Sequence, residues 1–375
     1  MTMSIRERYF AALLFGEPDC IPLSPGHPRE STLRAWHTQG LPEDRNYYDV
    51  MLEELGLPPM SGGWEGVEAN FAMLPIFEEK VLEHRDGHYI VQDWMGAITE
   101  IADNFDYTYI RSARDFVTRK WHKFPVETRE DWARMQERFQ LDTPGRFGEN
   151  FAARCRERNT HDAVITMQIN GPFWQLREWC GFENLCIFFL DEPEFVQEMI
   201  DFWTDFVAQM LARIGEHSRI DRLGISEDMA YKAHSMISPA MTRRHLQPTY
   251  ERWVAQATQA GCRVIDMDSD GYIGELIPIW IDAGINVCDP IEVAAHNDLL
   301  EFRQRFGKKM GYTGGVDKRA IAAGGAVMEA ELARLTPVIR DGGYIPGCDH
   351  GVPPDISWPD YLAYSRRLAE LCGWL

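Results

Sequence analysis

The sequence predicts an α/β fold: a closed (β/α)8 (TIM) barrel with an N-terminal helical extension and an inserted β-hairpin. Three observations lead there. From about residue 160 onward, short apolar segments alternate with helical stretches, the pattern of a parallel sheet built from βαβ units. Polar, mostly acidic residues fall at or just after the ends of these segments: Gln168-Ile169-Asn170-Gly171, Glu227-Asp228, Asp268-Ser269-Asp270-Gly271, Asp289-Pro290-Ile291-Glu292, Asp317-Lys318-Arg319 and Asp349-His350-Gly351. A closed barrel gathers such strand ends at one mouth, where catalytic groups sit, whereas an open sheet spreads them along an edge. Finally, the 375-residue length suits a barrel of about 250 residues with extensions, so residues 1–375 are expected to form one domain.

In chain order, the opening MTMSIRERYFAALLFGEP reads as an amphipathic helix and Cys20 to Ser24 as the first barrel strand. Within residues 77–102, His88-Tyr89-Ile90-Val91 and Gly96-Ala97-Ile98-Thr99 flank Asp93-Trp94-Met95, the pattern of an antiparallel hairpin. The hairpin interrupts the barrel pattern and is expected to be an inserted lid or interface element. Residues 103–160 are charged and helical and suggest no role. The later strands are Ala163 to Ile169, Arg222 to Ser226, Arg263 to Met267, Asn286 to Cys288, Lys309 to Thr313 and Tyr344 to Ile345. Helical patterns Glu194 to Ile214, Pro239 to Ala260 and Ala326 to Asp341 lie between them, and glycine-rich GCDHG and TGGVD mark turns.

Composition narrows the function. The 38 Lys and Arg against 58 Asp and Glu leave a formal net charge of −20. No four basic residues are adjacent, so a nucleic-acid partner, which needs a basic stripe, is not expected. No segment approaches the roughly 20 apolar residues of a membrane span. The opening segment lacks the continuous apolar run of a secretory leader, and the eight cysteines form no C-x-x-C pair. A reducing cytoplasm is the expected location.

Several constellations could carry chemistry. Asp266, Asp268 and Asp270 alternate in Val-Ile-Asp-Met-Asp-Ser-Asp-Gly. In an extended segment they share a face, so their repulsion calls for a cation, a basic side chain or a raised pKa. Alternatively one accepts backbone N–H groups at the Gly271 turn and another is solvated. Ile277 stands where a calcium loop needs glutamate, which rejects an EF-hand. His350, flanked by Gly351 on a strand exit, is free to approach a ligand and titrates near neutral pH, though a lone histidine is usually structural. Glu227 and Asp228 are candidate general bases or metal ligands with Lys232 as counter-charge, or else a salt-bridged loop. Asp317 and Arg319 flank Lys318 in a candidate anion-binding turn after Gly314-Gly315. Asn170, Phe173 and Trp174, with Trp179 nearby, could wall a flat organic substrate or be core. No G-x-x-x-x-G-K-[ST], G-x-G-x-x-G or G-x-S-x-G occurs, so nucleotide binding and serine-esterase chemistry lose their usual signatures.

Several strings resemble, in order and over nearly the whole chain, the uroporphyrinogen decarboxylase superfamily, which includes corrinoid-linked methyltransferases. They are Arg6-Glu7-Arg8-Tyr9-Phe10-Ala11-Ala12-Leu13 with Gly16-Glu17-Pro18-Asp19, then Asn170-Gly171-Pro172-Phe173, Met236-Ile237-Ser238-Pro239, Gly314-Gly315-Val316-Asp317 and Gly351-Val352-Pro353-Pro354. The resemblance implies the same barrel, a site at its C-terminal mouth and a homodimer. It also shows departures. Where true decarboxylases carry R-Q-A-G-R for the substrate's carboxylates, this chain has Gly26-His27-Pro28-Arg29-Glu30-Ser31, leaving Arg29 and Arg34. Uroporphyrinogen itself is therefore not the expected substrate, and an acid-lined mouth repels so many carboxylates.

Thiol-activating methyltransferases of the superfamily carry zinc on H-x-C and a later cysteine. The matching positions are Asp268, Asp270 and His350, implying a nitrogen–oxygen site for Zn²⁺ or another divalent metal. His350 also matches the late histidine of the decarboxylases. The resemblance thus implies a methyltransferase moving a methyl group from a small methylated organic compound to a thiol or to a corrinoid on a partner protein. Its rivals are a cofactor-free decarboxylase or lyase, with Asp268 stabilising a cation and His350 moving a proton, and a non-catalytic ligand-binding barrel.

Overall fold

In the computed structural model, which describes residues 3–60, 63–113, 115 and 117–375, parallel strands and helices alternate as the periodicity predicts. Eleven strands form two sheets: β1 Trp64–Gly66, β2 Lys80–Arg85, β3 His88–Gln92, β4 Ile98–Ala102, β5 Arg119–Lys123, β6 Val164–Asn170, β7 Arg222–Ser226, β8 Val264–Asp268, β9 Val287–Asp289, β10 Gly311–Val316 and β11 Tyr344–Cys348. The larger, curled sheet has the order β1-β6-β7-β8-β9-β10-β11 and is parallel throughout. Its six later strands fall where the apolar segments predict them. Long helices at Pro193–Gly215, Pro239–Gln259 and Gly325–Asp341 separate them.

The curled sheet has seven strands among the described residues, not the eight of a closed barrel. Cys20–Ser24 forms no strand. The segment instead runs beside β11: the Pro25 carbonyl accepts the Cys348 N–H at 3.2 Å, and Pro28 makes a single parallel bridge to Val352. Pro22, Pro25 and Pro28 remove every third backbone donor, so no regular ladder can form. At the opposite edge, β1 was not expected, because three residues leave almost no periodic signal.

The expected hairpin is the centre of a four-stranded antiparallel sheet, β2-β3-β4-β5. It reaches beyond residue 102, since Arg119–Lys123 pairs with β4.

Alternation along the strands sorts their side chains. Leu223, Ile225, Ile265, Met267 and Cys288 join the core beneath the helices, so Arg222, Gly224, Ser226, Asp266, Asp268 and Asp289 face the inside of the curl. The N-terminal end of the curl is closed. Helix Ile5–Leu13, started by a Ser4/Glu7 capping box, buries Tyr9, Phe10, Ala12 and Leu13 against Val164, Val264, Val287 and Ile345. The acidic strand exits lie at the opposite, C-terminal end.

Candidate active site

The interior above this plug is polar. At the start of β7, the Arg222 Nε and Nη2 atoms hold Asp266 Oδ2 at 2.6 and 2.5 Å. Its Nη1 donates to Thr166 Oγ1 at 3.1 Å and Gln168 Oε1 at 3.4 Å. Gly224 makes room for this pair, because a Cβ there would collide with Gln168 Oε1 and Arg222 Nη2. One register step toward the mouth, Gln168 Nε2 donates to Ser226 Oγ at 2.9 Å, and Ser226 lies 3.3 Å from Asp268 Oδ2. On β9, Asp289 accepts the Thr313 hydroxyl.

Three carboxylates, Asp266, Asp268 and Asp289, therefore face a half-buried interior in which Arg222 is paired with Asp266. Burial pushes Asp266 up to about 6; Arg222 opposes this and Asp289 adds to it. Among the described residues no cation pairs with Asp268. Burial, then the charges of Asp289, Asp228, Asp266 and Asp270, push it up to about 8, so it holds a proton at neutral pH.

A second tier lies beyond the strand ends. Asp228 accepts the Asp270 N–H at 2.9 Å, and burial followed by the Asp270 charge raises its pKa. The Asp270 carboxylate meets His350 Nε2 at 3.2 Å, while His350 Nδ1 lies 2.8 Å from the Asp349 carbonyl. With an acceptor at each ring nitrogen, the imidazolium is the favoured form. The Asp270 contact holds the His350 pKa above its ordinary value against burial and Lys318. Gly271, at φ +83, makes this turn possible, since a Cβ there would collide with the Ala230 carbonyl. Asp349, fully buried, anchors the His350 loop by accepting the Val293 and Lys318 N–H groups at 3.0 and 3.2 Å. On the facing wall, Arg177 stacks on Trp174 at 4.1 Å and donates to the Asp228 carbonyl at 3.0 Å.

The structure thus joins Asp228, Asp270 and His350, with Trp174 linked to Asp228 through Arg177 and Asp268 close enough to feel the Asp228 and Asp270 charges. The other sequence candidates are placed elsewhere. Glu227 is no mouth residue: odd-numbered, it turns away from the interior and is fully buried. It accepts the Phe173 and Trp174 N–H groups at 3.0 and 2.9 Å and the Tyr250 hydroxyl at 2.6 Å, capping helix Pro172–Cys180. Burial pushes it up to about 7. Tyr250→Phe leaves this carboxyl short of a donor and is expected to cost about 1–3 kcal/mol, read as a lower urea midpoint; an unchanged midpoint would show that the hydroxyl is dispensable.

Phe173 is fully buried core rather than a substrate wall. Asn170 donates its side-chain amide to Gln175 Oε1, and its backbone carbonyl accepts the Trp203 indole N–H. Lys232 is exposed on the loop after β7. Asp317 caps helix Lys318–Ala323 and pairs with Arg319 at 2.7 Å, so one cation of the basic pair expected to bind an anion is taken up by the neighbouring carboxylate. Arg29 precedes helix Glu30–His37, its side chain beside Gly351.

The expected Asp268/Asp270/His350 metal site is not assembled. Among the described residues, no three His, Cys, Asp or Glu side chains lie close enough to hold a metal ion. The three aspartates do not share a face because β8 ends at Asp268. Asp266 and Asp268 point inside, while Asp270 lies past the end and turns to His350.

Sequence reasoning missed Arg222, Ser226, Gln168 and Arg177 as site residues. An arginine opening an otherwise apolar strand, in step with Gly224 and Ser226, is the signal that could have identified the first. Arg177 lies three residues after Trp174, on the same helix face.

Comparisons agree with this architecture. A family model described as uroporphyrinogen decarboxylase (URO-D) matches residues 121–363. A methyltransferase from Methanosarcina mazei has a similar structure, with a TM-score of 0.58 over 97% of this chain and 98% of that one at 14% identity. A B12-independent methionine synthase from Shewanella, in complex with selenomethionine, gives 0.38 at 12% identity over 59% of this chain and 66% of that one. A putative vitamin-B12-independent methionine synthase from Listeria monocytogenes gives 0.36 at 11% identity over 94% and 96%. No curated protein matches. At 14% identity the Methanosarcina mazei structure speaks for fold alone, but the family model covers well over half of the sequence: the chain belongs to the uroporphyrinogen decarboxylase (URO-D) family.

Proposed function

We propose that this protein is a methyltransferase acting on a small methylated organic compound, with Asp268 as general acid. The observation that carries the reading is a carboxyl group on the inner face at the end of β8, within reach of Ser226 while Arg222 is taken by Asp266; burial and the neighbouring acids push its pKa up to about 8. In such a reaction the acceptor attacks the methyl carbon, the bond from carbon to oxygen, nitrogen or sulfur breaks, and the leaving atom takes the Asp268 proton. A neutral acid so placed stabilises the charge that develops on the leaving atom. The Trp174 face and Arg177 bound the substrate on one side, and His350, fixed by Asp270 and Asp349, bounds it on the other. A corrinoid carried on a separate protein would supply a strongly nucleophilic acceptor; a thiol is the alternative acceptor. On this reading the chain is one (β/α)8-type domain working as a cytoplasmic homodimer, with residues 21–28 in the first strand's place and the antiparallel sheet as insertion.

A second reading, decarboxylation of a small organic acid, is favoured by Arg177 and Lys318, two cations beside the mouth that suit a carboxylate. Asp268 would then protonate the carbanion. One assay separates the two. The protein is incubated with methyl ethers, methylamines, methyl thioethers and small carboxylic acids, with reduced cobalamin or a thiol as acceptor. Methylated acceptor from one methyl class, lost in Asp268→Asn, supports methyl transfer. Carbon dioxide release without methylated acceptor supports the lyase, and ligand binding without either product leaves a binding barrel.

A further inference from the structure

The polarity of the hydrogen-bond chain inside the curl dictates where the Asp268 proton sits. Arg222 carries only donors, so the side-chain oxygen of Gln168 must face it and the amide nitrogen must face Ser226. Ser226 Oγ therefore accepts from Gln168 and has its own hydrogen to place. Asp268 Oδ2, at 3.3 Å, is the acceptor within reach. If the carboxyl proton were also on Oδ2, two hydrogens would compete for one gap and the serine hydrogen would have no other side-chain acceptor among the described residues. Asp268 Oδ1 makes no hydrogen bond among the described residues, and the side chain is not closed off from the mouth. We infer that Arg222, Gln168 and Ser226 form a one-way chain that holds the acidic proton of Asp268 on Oδ1, making Gln168 and Ser226 positioning residues for proton delivery to the substrate.

The inference rests on the reading of Asp268 as general acid, but the chain has a function of its own. A carboxyl that rotates between two equivalent arrangements presents its proton to the substrate part of the time; one pinned through Oδ2 presents it always. The groups that bear on Asp268 are Asp266, Asp289, Asp228 and Asp270, with Arg222 held by Asp266. Among the described residues none of these donates to Oδ2, so the Ser226 contact is what sets the asymmetry.

Neutron diffraction from crystals of the intact protein in heavy water near neutral pH tests this without any substrate. Deuterium on Asp268 Oδ1, with the Ser226 deuterium directed at Oδ2 and the deuterated Gln168 amide nitrogen at Ser226, is the expected result. Deuterium on Oδ2, or a Gln168 oxygen facing Ser226, overturns it. A kinetic arm applies once turnover is observed. Ser226→Ala removes a donor to the Asp268 anion, so the basic limb of the pH–rate profile moves to higher pH and kcat falls about tenfold, the equivalent of one hydrogen bond. Ser226→Thr restores both. A Ser226→Ala protein with an unmoved basic limb overturns the positioning role. If methyl transfer is never found, the neutron map still decides the inference, so its failure is separate from that of the functional reading.

Discussion

Asp268→Asn is expected to lower turnover by about 10²–10⁴-fold, the usual contribution of a positioned general acid, while making the protein more resistant to unfolding as pH rises. The amide keeps the shape and the Ser226 contact of the protonated acid but has no proton to give. The stability effect follows from linkage. In the unfolded chain the carboxyl releases its proton near the ordinary value of about 4, whereas the folded protein retains it to about 8. Between those values the unfolded state binds fewer protons, so this group's contribution to stability, full below about pH 4, is lost as pH rises through about 8. Asparagine removes that loss. Thermal unfolding of both proteins from pH 5 to pH 8.5 should show midpoints that diverge in favour of the variant. Parallel curves would mean that Asp268 is not held protonated, and unchanged turnover would remove it from the chemistry.

Arg222→Leu is expected to destabilise the fold by about 3–5 kcal/mol, because it strands a buried carboxylate. Asp266 is 2% exposed, and one of its oxygens already lacks a hydrogen-bond partner. Without the guanidinium, only protonation relieves the site. The Asp266 pKa, already about 6, then rises further, so the penalty is largest at alkaline pH and shrinks as acid is added. Urea unfolding at pH 5 and pH 8 reads the difference directly. Asp266→Asn in the Arg222→Leu background should recover much of the loss, giving a coupling energy well outside experimental scatter. Additive single effects would mean that Arg222 acts through Thr166 or Gln168 rather than through Asp266.

The repeating pattern was legible because it is local. Strand segments such as Arg222 to Ser226 are bounded by turn-forming residues and carry apolar side chains in step with the pleat. The acids that follow them were equally visible, and Asp270 does meet His350 beyond the strand ends, with Asp228 accepting the Asp270 N–H. Adjacency in the chain, by contrast, misleads for Glu227 and Asp228: neighbours at a strand end face opposite ways, so one caps a buried helix and the other reaches the mouth. Phe173 and Trp174 part company for the same reason on a helix. The aromatic string identified the region but not which ring would be core.

What the sequence determined by itself was the alternation of strand and helix, the acidic strand exits, the place of an antiparallel hairpin and the family. These depend on periodicity and on short ordered motifs, which survive without coordinates. Tertiary structure decided the electrostatics. Arg222 and Asp266 are 44 positions apart in the chain, and only the parallel register of β7 and β8 makes them partners. That pairing leaves Asp268 without a cation, while the end of β8 sends Asp270 to His350. A set of aspartates that reads as a metal site along the chain becomes, once the strand stops, a buried acid and a separate ion pair.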